Sequence, residues 1–131
     1  MVISGGEPTI AQDLDILIKE VRKLGFSVKL DTNGSHPEVI SRLLDGKLVE
    51  LFAVDVKGPF EKYGELTGTK IATQKVKENF EWIFKLAQEN PSRFLFRLTK
   101  VPILTKKDIE IAKTYLPGGF NLNLQEYLDV T

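Results

Sequence analysis

Apolar positions along the chain switch repeatedly between two spacings. Val2-Ile3 is a short apolar run leading into a Gly5-Gly6 turn, and Thr9 with Gln12 fits a capping box that would open a helix. Leu14, Leu17, Ile18, Val21 and Leu24 then follow one helical stripe, with Gly25 at the expected stop. Phe26, Val28 and Leu30 alternate with Ser27, Lys29 and Asp31, the period-two pattern of a strand. Ser35, Pro37 and Glu38 stand in cap, first-turn and box positions ahead of the stripe Val39, Ile40, Leu43, Leu44, which Gly46 closes. The apolar run Leu48 to Val54 has the character of a strand buried on both faces. A loop from Lys57 to about Lys70 precedes a helix carrying Val76, Phe80, Ile83, Phe84 and Ala87, which Asn90-Pro91 breaks. Phe94 to Val101 predicts a strand. Thr105 and Asp108 cap a helix bearing Ile109, Ala112 and Leu116, Pro117-Gly118-Gly119 ends it, and Phe120 to Gln125 predicts the last strand.

Strict alternation of strand and helix predicts parallel βαβ units in an α/β fold. Right-handed crossovers would assemble them into a doubly wound sheet or part of a barrel. A complete eight-unit barrel takes roughly 250 residues, so the 131 residues here predict a single domain, 1–131, with about five parallel strands of a partial (β/α) barrel.

Charge narrows the partners. Eighteen basic side chains balance eighteen acidic ones, leaving no global field to draw nucleic acid or an anionic membrane. No apolar run approaches the roughly 20 residues that span a bilayer, and the first residues lack the pattern of a signal peptide, so a cytoplasmic protein is expected. The chain holds no cysteine and a single histidine, His36. Disulfides, thiol nucleophiles and thiolate-held metals are excluded from these residues, and a zinc site or a Ser-His-Asp triad would need unusual parts.

What remains is a matter of position. Each predicted strand ends in polar or glycine-rich residues: Gly5-Gly6-Glu7-Pro8-Thr9, Asp31-Thr32-Asn33-Gly34, Asp55-Val56-Lys57-Gly58, Arg97 with Lys100, and Gln125-Glu126-Tyr127. In parallel α/β folds these carboxyl ends form one ligand-binding rim. Taken singly, each cluster has a plain structural explanation. Gly5-Gly6 and Asn33-Gly34 are good turn chemistry, Asp55 and Lys57 could be a minor ion pair, and the lysines from 100 to 107 suit a solvated surface. His36 suits a helix start and Trp82 peripheral packing. Arg97 resists this treatment, because a cation inside Phe94-Leu95-Phe96-Arg97-Leu98 needs a polar lumen or an anion to face.

In order, the segments Val2 to Thr9, Asp31 to Ser35, Ala53 to Gly58 and Tyr63 to Gly68 resemble radical S-adenosylmethionine (SAM) enzymes, in particular the activating enzymes of anaerobic ribonucleotide reductase and pyruvate formate-lyase. The resemblance implies a [4Fe–4S] cluster that reduces SAM to a 5′-deoxyadenosyl radical, used to place a glycyl radical on a partner enzyme. It also implies that backbone groups of Gly5, Gly6 and Glu7 bind the SAM amino group and that Asp31 and Thr32 lie beside SAM. Asp55 and Lys57 would contact ribose or carboxylate, Arg97 would face ligand or substrate, and Gln125 would lie near the adenosine. The family's cluster cysteines, C-x-x-x-C-x-x-C, precede the Gly-Gly-Glu segment and are not among these residues, so the expectation is an N-terminally truncated core that lacks its first βα unit and is inactive alone. An apolar first-strand edge left bare this way predicts that it is covered by homo-oligomerisation or by a rearranged terminus. Two further functions stay open: a non-catalytic module for SAM, a nucleotide or a docking partner, and a radical SAM enzyme acting on a small molecule or nucleoside.

Overall fold

A computed structural model describes residues 1–128. Five strands, β1 (Val2–Ile3), β2 (Lys29–Thr32), β3 (Leu51–Asp55), β4 (Phe94–Lys100) and β5 (Leu122–Glu126), form one parallel sheet in the order β1-β2-β3-β4-β5. Between them run α1 (Leu14–Lys23), α2 (Pro37–Asp45), α3 (Tyr63–Thr67) with α4 (Thr73–Glu89), and α5 (Lys106–Thr114). Sequential strand order decides between the two architectures left open by the sequence. Right-handed crossovers that always step to the next strand place every helix on one side of the sheet. The result is an open, barrel-like α/β sheet rather than a doubly wound one.

Strand register therefore sorts residues into two faces. Leu30, Phe52, Val54, Phe94, Phe96 and Leu98 lie on the helix-covered face, each 5% exposed or less, and pack against Ile18, Ile40, Leu43, Phe80 and Ile83. The opposite parity holds Asp31, Ala53, Asp55, Leu95, Arg97, Thr99, Asn123 and Gln125. Polar side chains on this helix-free face, the lumen side, gather at the carboxyl ends of the strands and make the rim. β1 is short, and Met1 and Val2 are each 54% exposed at the sheet edge.

Local signals differ from the observed structure in several places, beginning with the α1 stripe, whose Leu17 and Leu24 are exposed, and with Phe26, which is exposed and lies outside β2. Thr9 and Gln12 form no capping box. A short 3₁₀ turn covers Pro8–Ile10, capped by the Glu7 side chain, and α1 starts only at Leu14 after an Asp13 cap that makes no side-chain hydrogen bond. At α2 the cap is His36, not Ser35, and Glu38 pairs with the His36 ring at 3.1 Å. The 57–70 connection is no plain loop: it folds into a 3₁₀ turn, Phe60–Lys62, and α3, because Phe60 and Tyr63 are drawn into an aromatic cluster with Phe80 and Tyr115. After α2 the left-handed residue is Lys47, at φ 54°, while Gly46 keeps a right-handed φ of −77°. Such a conformation strains a residue with a Cβ. Lys47→Gly is expected to raise stability by about 0.5–1 kcal/mol, glycine's extra freedom in the unfolded chain taking back part of the relief, as read by urea denaturation.

By contrast, the Thr105–Asp108 capping box at α5 forms as expected, with both bonds at 3.0 Å. Among the described residues no helix is long and apolar enough to cross a membrane.

Candidate functional site

Arg97 is the centre of the rim. It is the direct register partner of Asp55, and its Nε and Nη2 both lie 3.2 Å from Asp55 Oδ1. Nη2 also lies 3.5 Å from Asp31 Oδ2. The guanidinium reaches across β3 because the position between, Ala53, has only a methyl group to obstruct it. One planar cation thus holds two carboxylates from two other strands, a task suited to the fixed fork of arginine. All three side chains are sheltered, at 16%, 19% and 31% exposure for Arg97, Asp31 and Asp55. Lys57 Nζ stands 3.9 Å from Asp55 Oδ2, on the solvent side of the cluster.

Asp31 Oδ1 is the one buried side-chain oxygen without a hydrogen bond among the described residues. Lys29 Nζ is 3.9 Å away, close enough for attraction but too far to hydrogen-bond. A sheltered carboxylate oxygen left unpaired is costly, and a ligand N–H or O–H delivered to the rim would satisfy it.

The Gly-Gly turn is fastened to the end of β2 by Glu7. Its carboxylate accepts from the backbone N–H and the hydroxyl of Thr9, from Thr32 Oγ1 at 2.7 Å and from Asn33 N–H at 2.8 Å. Thr32 Oγ1 in turn accepts from Gly34 N–H at 3.2 Å. Gly5 and Gly6 take φ values of 89° and 58°, and a Cβ at either would meet no atom within 4 Å. Backbone angle, not crowding, is what selects glycine at these two positions. With both residues exposed and lacking side chains, their peptide groups are open.

The loop after β3 is held from below. Lys57 N–H donates to Tyr63 Oη at 2.8 Å, and Phe60 N–H donates to Tyr115 Oη at 3.2 Å. Lys62 Nζ bonds Asp108 Oδ2 at 2.8 Å, joining the loop to α5. The Lys62 ammonium, then the Thr105 N–H, hold the Asp108 carboxyl below its ordinary value. A lowered folded pKa means the contribution to stability is present above the unfolded value of about 3.9 and is lost as pH falls through the folded pKa. Asp108→Asn is expected to lower the melting temperature at pH 7, and its difference from the wild type should shrink as pH drops below 4.

The residues singled out in the sequence are therefore placed as follows. Asp31, Asp55, Lys57 and Arg97 meet at the rim, while the Gly5-Gly6 turn is tied by Glu7 to Thr32 and Asn33 at the end of β2. Thr32 has the other parity: its side chain is 2% exposed on the helix side and binds Glu7. Gln125 is the register partner of Thr99 on the lumen face of β5, exposed and apart from the Arg97 cluster. Sequence reasoning missed the Glu7 side chain as a staple and Tyr63 as the support of Lys57. The signals for the latter were its place six positions after a rim lysine and at the start of the Tyr63 to Gly68 segment.

The Radical SAM superfamily description matches residues 1–116. The chain belongs to the radical SAM superfamily. It is 43% identical over 117 residues to a provisionally named glycyl-radical enzyme activating enzyme of Methanocaldococcus jannaschii, a match covering 87% of this chain and 49% of that one. A second protein of that organism, with the same provisional name, is 30% identical over 89 residues, covering 68% of this chain and 33% of the other. This radical SAM chain thus spans half or less of the length of both relatives. Its fold matches a domain of pyruvate-formate lyase-activating enzyme from Bacteroides vulgatus with a TM-score of 0.74, at 18% identity, over 98% of this chain and 81% of that one. It also matches the structure of TYW1 with a lysine-pyruvate adduct bound, with a TM-score of 0.61, at 23% identity, over 98% and 42%.

Radical SAM membership implies SAM and a [4Fe–4S] cluster. The rim suits SAM, whose amino group and hydroxyls are donors matching the unpaired Asp31 oxygen and whose carboxylate matches the cations Lys57 and Arg97. The cluster does not fit these residues. Iron–sulfur clusters are held chiefly by cysteine thiolates, the chain has none, and among the described residues no three His, Asp or Glu side chains gather to hold a metal ion.

Proposed function

We propose that this chain is the SAM-holding portion of a glycyl-radical-activating enzyme, one that uses SAM as the source of a 5′-deoxyadenosyl radical and acts on a glycyl radical enzyme as protein substrate. The observation that carries the reading is the unpaired Asp31 oxygen beside an arginine-bridged carboxylate pair, at the rim where the Gly5-Gly6 turn opens its backbone. In this reading the peptide groups of Gly5, Gly6 and Glu7 orient the SAM amino group and Asp31 accepts from the ligand. Asp55 and Lys57 meet ribose hydroxyls and the SAM carboxylate. Arg97 keeps both aspartates from repelling each other, and Gln125 stands at the adenosine edge of the lumen. Thr32 acts indirectly, through Glu7. Cluster ligands must come from residues other than these, and the chain by itself is inactive. A reduced, cytoplasmic setting suits such chemistry.

A chimera tests this. This chain is substituted for the matched half of the 43%-identical Methanocaldococcus jannaschii relative, reconstituted with iron and sulfide without oxygen, and given dithionite and SAM. Release of 5′-deoxyadenosine is expected, with a glycyl-radical signal in electron paramagnetic resonance once a glycyl radical enzyme of that organism is added. A chimera that holds its cluster but leaves SAM intact would contradict the proposal. We also propose that the bare β1 edge pairs with a second copy when the chain is alone. Exposed strand edges with apolar residues attract partners, and light scattering showing a monomer at all concentrations would refute it.

A further inference from the structure

A cavity of about 310 Å³ lies on the helix side of the rim, lined by Ser35, Tyr63, Thr69, Ile71, Asn79 and Phe80 among others. It is separate from the lumen-side space of about 340 Å³ that contains Asp55 and Thr99, although Asn33, Lys57 and Thr67 border both. Two polar groups in its wall are incompletely used. Asn79 sits within the buried stripe of α4, between Val76 and Ile83, and is only 5% exposed. Its amide nitrogen makes one long bond, 3.4 Å to Ser35 O, and its carbonyl oxygen has no partner among the described residues. That oxygen is not among the buried unpaired atoms, so it opens on the cavity, where it can accept from a bound donor.

Tyr63 supplies the complement. Its oxygen accepts from Lys57 N–H, and its own hydrogen has no acceptor among the described residues. Burial pushes the phenol up, so that hydrogen stays in place across the working pH range. Ile71, Val76 and Phe80 give the cavity apolar walls, no carboxylate lines it, and its one bordering cation, Lys57, directs its Nζ to Asp55. A donor and an acceptor in a neutral apolar pocket match a group that offers one carbonyl and one N–H. The volume is near the lower end of ligand sites, roughly 300–1,000 Å³, which suits an extended peptide unit with small side chains.

We propose that this cavity binds a neutral peptide linkage, in a small-residue segment of a partner polypeptide, through Tyr63 O–H and the Asn79 carbonyl. That the segment belongs to the enzyme being activated rests on the proposed function; the preference for an amide does not.

The test is a ¹⁵N-detected NMR titration of the chain with N-acetylglycinamide, with sodium acetate as charged control. Saturable shifts at Ser35, Thr69 and Asn79 are expected with the diamide and not with acetate. Asn79→Leu and Tyr63→Phe should each weaken binding at least fivefold. Should the Asn79 variant misfold, the Tyr63 variant decides, since it keeps the ring that packs on Phe60 and Phe80. Absence of saturable shifts, equal binding by a folded variant, or equal shifts with acetate would overturn the proposal. So would SAM alone saturating the same signals, a result that would give the cavity to SAM and leave the proposed function standing. A failed chimera with a positive diamide titration would do the reverse.

Discussion

Replacing Arg97 by leucine is expected to destabilise the chain by about 3 kcal/mol and to abolish SAM binding. The guanidinium is the cation that Asp31 and Asp55 share, and removing one partner from a sheltered charge set costs roughly 3–5 kcal/mol because the remaining charges stay desolvated. Partial exposure of Asp55, at 31%, places the value at the lower end. Thermal unfolding would then drop by about 10 °C for a domain of this size. The mechanism makes a second demand: the triple variant Arg97→Leu, Asp31→Asn, Asp55→Asn should recover a large part of the loss, since no uncompensated charge remains. Arg97→Lys should fall between, because a point charge cannot serve two carboxylates with a planar fork. If the triple variant is as unstable as the single one, packing and not charge is what Arg97 contributes.

Glu7→Ala carries the second large effect. Four donors from Thr9, Thr32 and Asn33 lose one acceptor, and hydrogen bonds to a charged group contribute about 1.5–3 kcal/mol each when sheltered. Glu7 is only half-buried and water can replace part of what is lost, so about 2–3 kcal/mol is expected, measured by urea denaturation. Its effect on ligand binding should exceed its effect on stability, because the freed Gly-Gly turn no longer holds its peptide groups against β2. Glu7→Gln should keep part of both, with one oxygen still able to accept. Unchanged SAM affinity in Glu7→Ala would remove the staple from the account of the site.

Helices and strands were legible wherever a periodic stripe met a buried face. Val76, Phe80, Ile83 and Ala87 predict α4 and are all buried in it. Helix starts were less legible: at Thr9 and Ser35 the cap chemistry was present, yet the preceding turns took other bonds. Glu7 draws on Thr9 as well as on Thr32, 25 residues away, and Ser35 N–H donates to Asn33 Oδ1 inside the turn. For the site, the rim residues could be read from strand ends, but their faces could not. Asp31 and Thr32 look equivalent in sequence, and only the register of β2 against β3 sends the first to the lumen and the second to the core. Asn79 was hidden for a related reason, and Tyr63 stood out only as the start of the Tyr63 to Gly68 segment, since a polar group in a helix stripe or loop gains its role from the cavity beside it.

The direct test of the central claim is an NMR-monitored titration of this chain with SAM, with Asp31→Ala in parallel. Saturable one-to-one binding is expected, moving the amide signals of Gly5, Gly6, Asp31 and Asp55, with at least a tenfold loss of affinity, about 1.4 kcal/mol, in the variant. Signals that stay still at millimolar SAM, or shifts confined to residues away from the rim, would contradict it.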